Sequence, residues 1–177
     1  MGMRTWMGLA VLCGVWAGAQ SHAVTYYVRA GGDDLNDGLS EGAALATVAA
    51  AWSKAQSHDN VIDVGPGTFA GLGGGCTFNY RISVQGAGVG STFLDGSGRW
   101  TTTGNASGLS AANPTVALKD LTITNNTSNF LYLSNTQSHV KFQNIELGAG
   151  TSQWLRVNEG NVYTGITFDN VTRKQPN

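Results

Sequence analysis

VALKDLTITNN (116–126), HVKFQNIELGAG (139–150) and NVYTGITFDN (161–170) say nearly the same thing three times. Superposed on their apolar positions, Leu118 falls with Phe142 and Tyr163, Leu121 with Ile145 and Ile166, and Ile123 with Leu147 and Phe168, at spacings of 24 and then 21. A second strand-like segment recurs between the copies, FLYLSN at 130–135 and WLRVNE at 154–159, again 24 apart. Each period therefore holds several short strands and no helical pattern. A repeat of ~20–25 residues built this way predicts an all-β parallel solenoid, because each coil can bury its inner face only by stacking on its neighbours.

Strand parity follows from one residue. Side chains alternate along a strand, so in WLRV either Leu155 and Val157 face inward or Trp154 and Arg156 do. An unpaired buried arginine is too costly, which puts the leucine and valine inside. The 24-residue offset carries the same parity back to Leu131 and Leu133, leaving Phe130, Tyr132, Trp154 and Arg156 outside on one face. Aromatic rings offer flat apolar surfaces, and arginine offers a planar fork for a carboxylate, so these four are candidate substrate-binding residues for a polysaccharide. Coverage of this face by the segment at 99–114 is the alternative.

Glu146 and Asp169 both point outward in the 21-residue register, on neighbouring coils and offset by two positions, with backbones ~8 Å apart. That separation suits an acid and a base acting on water and makes them candidate catalytic residues; a solvated strand face is the competing reading. Lys119 and Lys141 read as solubilising or edge-blunting charges. Asp33-Asp34-Leu35-Asn36-Asp37-Gly38 invites a calcium reading, but Leu35 stands at the third ligand position and Ala44 where a bidentate glutamate belongs. An Asx turn accounts for it better. No metal site or cofactor is evident. Asn125 and Asn170, just after two of the repeated strands, suit the left-handed conformation of a sharp corner.

Working outward to the ends, residues 1–23 have a basic start at Arg4, the apolar run WMGLAVLCGVWAGA, and small-residue cleavage options after Ala19 or Ala23. This reads as a signal peptide, its apolar run too short for a comfortable membrane span, with an uncleaved anchor as the alternative; cleavage after Ala23 places Val24 at the front of the first strand. The domain is then 24–177, about six coils at ~22–25 residues each. Cys76 alone remains in it, so stability comes from stacked strands and not from disulfides. A net charge of −1 with a charged fraction of 12% argues against nucleic acid and anionic membranes as partners. Thr47 can cap a helix to about Gln56 whose stripe of Leu45, Val48, Trp52 and Ala55 covers the first coil. Residues 99–114 read as a loop.

The segment 25–69 resembles the opening of secreted right-handed parallel β-helix proteins, the pectin-lyase-like superfamily. The resemblance rests on the Tyr26-Tyr27-Val28 strand, the Gly-x-Asp-x-Asn-Asp-Gly turn at 32–38, Ala46-Thr47 opening a helix, and Pro66-Gly67-Thr68-Phe69; it continues in RISVQGAGVGSTFLDGS (81–97). It implies a right-handed parallel β-helix with a short N-terminal capping helix, secreted to the extracellular space, cell surface or periplasm, and here the N-terminal portion of a longer helix. It also implies a carbohydrate-active protein, as part of a polysaccharide lyase or glycoside hydrolase, with a non-enzymatic adhesion or structural module as the alternative. Calcium enters only through that analogy. An uncovered last coil would favour end-to-end self-association.

Overall fold

The computed structural model describes residues 22–70, 76–77, 80–95, 100–102, 115–125, 129–133, 137–138, 140–148, 153–157 and 163–174; at 76–77, 100–102, 115–117, 129–133, 137–138, 153–157 and 163–164 it describes the backbone alone. Residues 1–21 of the expected signal peptide, 1–23, lie outside these residues. The described residues are all-β apart from one short helix and one 3₁₀ turn, and every strand pairing among them is parallel.

The strands recur in tiers. The first tier runs β1 (Thr25–Val28), β2 (Val61–Val64), β5 (Ser83–Gly86), β8 (Thr115–Thr124), β11 (Val140–Leu147) and β14 (Thr167–Arg173), each hydrogen-bonded to the next. A second tier has β3 (Gly67–Ala70) on β6 (Thr92–Asp95), then β6 on the latter half of β8. A third stacks β4 (Cys76–Thr77), β7 (Trp100–Thr102), β9 (Asn129–Leu133) and β12 (Gln153–Val157), and a last pair joins β10 (Gln137–Ser138) to β13 (Tyr163–Thr164). The chain thus visits the tiers in turn and returns to the first one repeat later. The stretch read as a loop at 99–114 contributes β7 at residues 100–102, paired between β4 and β9.

Alternation decides what is buried. One inner row passes through Tyr26, Ile62, Val84, Leu118, Phe142 and Phe168, register partners in successive strands. Phe142 and Phe168 stack at 5.3 Å between ring centroids. A second inner row takes Phe69, Leu94, Ile123 and Leu147. Each fully buried side chain of this kind contributes ~1.5–3 kcal/mol, so the rows supply most of the cohesion.

The first and second tiers meet at a corner. In β8, β11 and β14 one residue turns it: Asp120, Asn144 and Asn170, at φ of 56°, 50° and 51°. Asn and Asp tolerate this left-handed conformation because their short polar side chains can bond locally. Here they also bond to one another, Asn144 Nδ2 donating to Asp120 Oδ1 at 2.8 Å and Asn170 Nδ2 to Asn144 Oδ1 at 3.0 Å. The corner explains why Phe142 and Ile145, three apart, are both fully buried.

This ladder corrects the register of the third copy. The 24-residue offset holds between β8 and β11, with Leu118 on Phe142, Leu121 on Ile145 and Ile123 on Leu147, and between β9 and β12. The last offset is 26, not 21: Phe168 lies on Phe142, Val171 on Ile145 and Arg173 on Leu147. Matching apolar letters alone could slip; aligning the left-handed residues cannot, since a misplaced asparagine would lose both its corner and its amide bond. Asn125 and Asn170 are both left-handed, as expected, but Asn125 ends β8 while Asn170 sits inside β14.

At the N-terminal end, α1 (Val48–Lys54) packs on β1 and β2. Thr47 caps it, its Oγ1 accepting from Ala50 N at 3.1 Å. Val48, Ala51 and Ala55 are fully buried, whereas Trp52 is half-buried, so the covering stripe is narrower and smaller than the sequence suggests. Segment 38–45 closes the free edge of β1 through Tyr27 N to Gly38 O, Leu45 N to Tyr27 O and Arg29 N to Leu45 O. β14 has β11 as its one neighbour among the described residues. No described helix is long and apolar enough to cross a membrane.

Candidate functional site

The first tier has an outer row as regular as its inner one. Residues following the buried positions point outward, and the register aligns Asp63, Gln85, Lys119, Gln143 and Asp169 in one line, with Tyr27 preceding Asp63. At ~4.8 Å per strand, the five span ~19 Å perpendicular to the strands. Acid, amide, cation, amide and acid follow each other. Gln85 is exposed and the other four are half-buried.

Each cation on this strip is closed by a carboxylate. Arg29 reaches Asp63 at 3.0 Å and Glu41 at 2.8 Å, and its guanidinium lies 5.2 Å from the Tyr27 ring centre. Burial alone would lower the Arg29 guanidinium; the hydrogen bonds to Glu41 and Asp63 outweigh it and hold the group above its ordinary value. Lys141 pairs with Asp169 at 2.8 Å and Lys119 with Asp120 at 3.4 Å. Gln143 Nε2 also donates to Asp169 at 3.2 Å. Beyond Arg29 the strip continues into a polar cleft of about 170 Å³ bordered by Gly31, Asp33, Asn36 and Glu41.

The residues singled out by sequence separate into two groups. Phe130 and Tyr132 lie on β9 and Trp154 and Arg156 on β12, strands that pair with Tyr132 opposite Arg156 and Leu131 opposite Leu155. The backbones are neighbours as expected, and their side chains lie outside the described residues. Glu146 and Asp169 are not brought together. Glu146 stands opposite Thr172 and Asp169 opposite Gln143, three positions apart and on opposite sides of the Asn144/Asn170 corner. The expected offset of two positions rested on the 21-residue spacing and becomes three in the observed register.

The Asp33–Gly38 segment forms two Asx turns, Asp33 Oδ1 accepting from Leu35 N and Asp37 Oδ1 from Leu39 N, each at 2.9 Å. Asp34 is taken up by Ala46 N, Thr47 N and Thr47 Oγ1, each at 2.9 Å. Among the described residues no group of three His, Cys, Asp or Glu side chains gathers as metal ligands do. Sequence reading missed Asp63, Gln85 and Gln143, because an outward polar residue in a strand carries no signal until register aligns it with others.

Compared with family models, curated proteins and solved structures, the chain matches none.

Proposed function

We propose that this chain is a secreted right-handed parallel β-helix that engages polysaccharide along its first-tier outer face. The order of pairing supports the coil: parallel strands, each returning to the same tier one repeat later, require crossovers, and such crossovers are right-handed in nearly all sheets. The observation that carries the binding reading is the Asp63–Gln85–Lys119–Gln143–Asp169 row. A line of donors and acceptors at a constant ~4.8 Å spacing suits an extended polymer with hydroxyls at every step, because amide and carboxylate groups accept from hydroxyls and amide and ammonium groups donate to them. Binding is favoured over hydrolysis by the Glu146/Asp169 pair, since Asp169 is engaged by Lys141 and Gln143 and stands away from Glu146.

Calorimetric titration of the chain with soluble polysaccharides tests this. Wild type is expected to bind at least one, and the double substitution Gln85→Ala/Lys119→Ala to weaken it ~10-fold or more, about the sum of two modest polar contacts, with the thermal transition little changed. Absence of binding to every neutral and acidic polysaccharide tried would remove the reading.

A further inference from the structure

We propose that the outer row selects an uncharged, hydroxyl-rich glycan over a polyuronate, an inference that rests on the polysaccharide reading above. Three cations stand on or beside the row: Arg29, Lys119 and Lys141. All three already have carboxylate partners supplied by the fold, Asp63 and Glu41 for the first, Asp120 for the second and Asp169 for the third. The strip thus holds four carboxylates for three cations.

A polyuronate brings one carboxylate per sugar. To pair with Arg29 or Lys141 it must displace a carboxylate that the backbone holds in place, and the displaced Asp63 or Asp169 stays beside the ligand as an unneutralised like charge. The cost recurs at both ends of the row. A neutral sugar meets no such opposition. Its hydroxyls donate to the oxygens of Asp63 and Asp169 not used in ion pairs, and exchange hydrogen bonds with the amides of Gln85 and Gln143 on either side of Lys119. Gln143 uses one N–H on Asp169 and keeps a second N–H and its carbonyl. The one aromatic ring on this row, Tyr27, is overlain by Arg29, so recognition depends on hydrogen bonding more than on stacking. Many modest bonds in a line make affinity depend on ligand length up to the ~19 Å of the row.

The test is calorimetric titration of the chain with length-matched neutral oligosaccharides (cello- and xylo-oligosaccharides) and uronate oligosaccharides (oligogalacturonates, mannuronates). Wild type should bind a neutral series ~10-fold or more tightly than the uronates, with affinity rising with length and changing little with salt. Gln143→Ala should weaken the neutral ligands several-fold. Asp169→Asn frees Lys141 while keeping the size of the side chain, and should narrow the neutral-over-acidic preference by improving uronate binding. Tighter binding of uronates by wild type, or an Asp169→Asn variant with an unchanged preference, overturns this inference and leaves polysaccharide binding standing. Failure of both ligand classes overturns the two together.

Discussion

The same corner is turned in two ways along this chain, and the contrast separates its halves. Near the N-terminus the passage from first to second tier takes two residues, Gly65-Pro66 between β2 and β3, or five, Ala87–Ser91 between β5 and β6, with glycine in each. In the later coils one Asp or Asn does it. The glycine corners are tied down from outside: Gly88 N donates to Asp120 O, Gly90 N to Thr122 Oγ1, and Thr92 Oγ1 to Gly65 O, all at 2.9 Å. The buried Gly86 is part of that fit, since a Cβ there would stand 2.3 Å from Asp120 O. The later corners instead carry their own side-chain ladder.

A related difference runs through the rest of the two halves. The N-terminal half is stitched by individual long-range contacts: Asn60, held locally by its bond to Ser57 Oγ at 2.8 Å, accepts from Val24 N at 2.9 Å, and Arg81 forks onto Asp59 at 2.7 and 2.6 Å. His58 joins this clip by accepting from Arg81 N at 3.2 Å, with Tyr80 edge-on at 5.3 Å. The later half relies on repetition, so that one row of apolar residues and one side-chain ladder through Asp120, Asn144 and Asn170 hold several strands. Repetition concentrates stability in few positions, whereas stitching spreads it over many.

Substitutions at three positions probe that contrast, in descending order of effect. Phe142→Ala should cost ~3–5 kcal/mol in chemical denaturation, because it removes from the inner row a fully buried ring that packs between Leu118 and Phe168. A loss below ~1 kcal/mol would mean that the row can collapse around the gap and that repetition is not what holds the later coils. Asn144 comes next. Asn144→Ala loses the bonds to Asp120 and Asn170 and places alanine in a left-handed site, for a combined ~2–4 kcal/mol. Asn144→Gly loses the same bonds but keeps the corner, so it should be the more stable variant by ~1 kcal/mol. Equal stabilities would show that the ladder, and not the backbone conformation, decides this position.

The smallest effect belongs to the stitched half. The hydrogen bond from Arg81 holds the Asp59 carboxyl below its ordinary range. Its folded value lies below its unfolded one, so the clip's contribution is fully present above the ordinary aspartate value of ~4 and is lost as pH falls through the lowered value. Both groups are partly exposed, which keeps the effect small. Comparing acid denaturation of wild type and Asp59→Asn below pH ~4 should show the variant already weakened near neutrality and less sensitive to further acid. Parallel curves would remove this clip from the account.

The chain's own letters determined the repeat, the parallel all-β architecture, the capping role of Thr47, the Asx turns and the left-handed asparagines, because these depend on period, alternation and local backbone preference. Pairing of Leu118 with Phe142 and Leu131 with Leu155 followed from spacing alone. Only the tertiary structure decided the last register, since apolar residues three apart occur twice in NVYTGITFDNVTR, at Tyr163/Ile166 and at Phe168/Val171, and hydrophobicity cannot tell the two apart. The Asp120–Asn144–Asn170 ladder and the stacked rings could, and both are contacts between paired strands. For the same reason the polar row of Asp63, Gln85, Lys119, Gln143 and Asp169 was invisible in one dimension. Successive members are separated by 22 to 34 residues in sequence and by one strand spacing in space, and their partners, from Arg29 to Lys141, become neighbours only when the parallel strands pair.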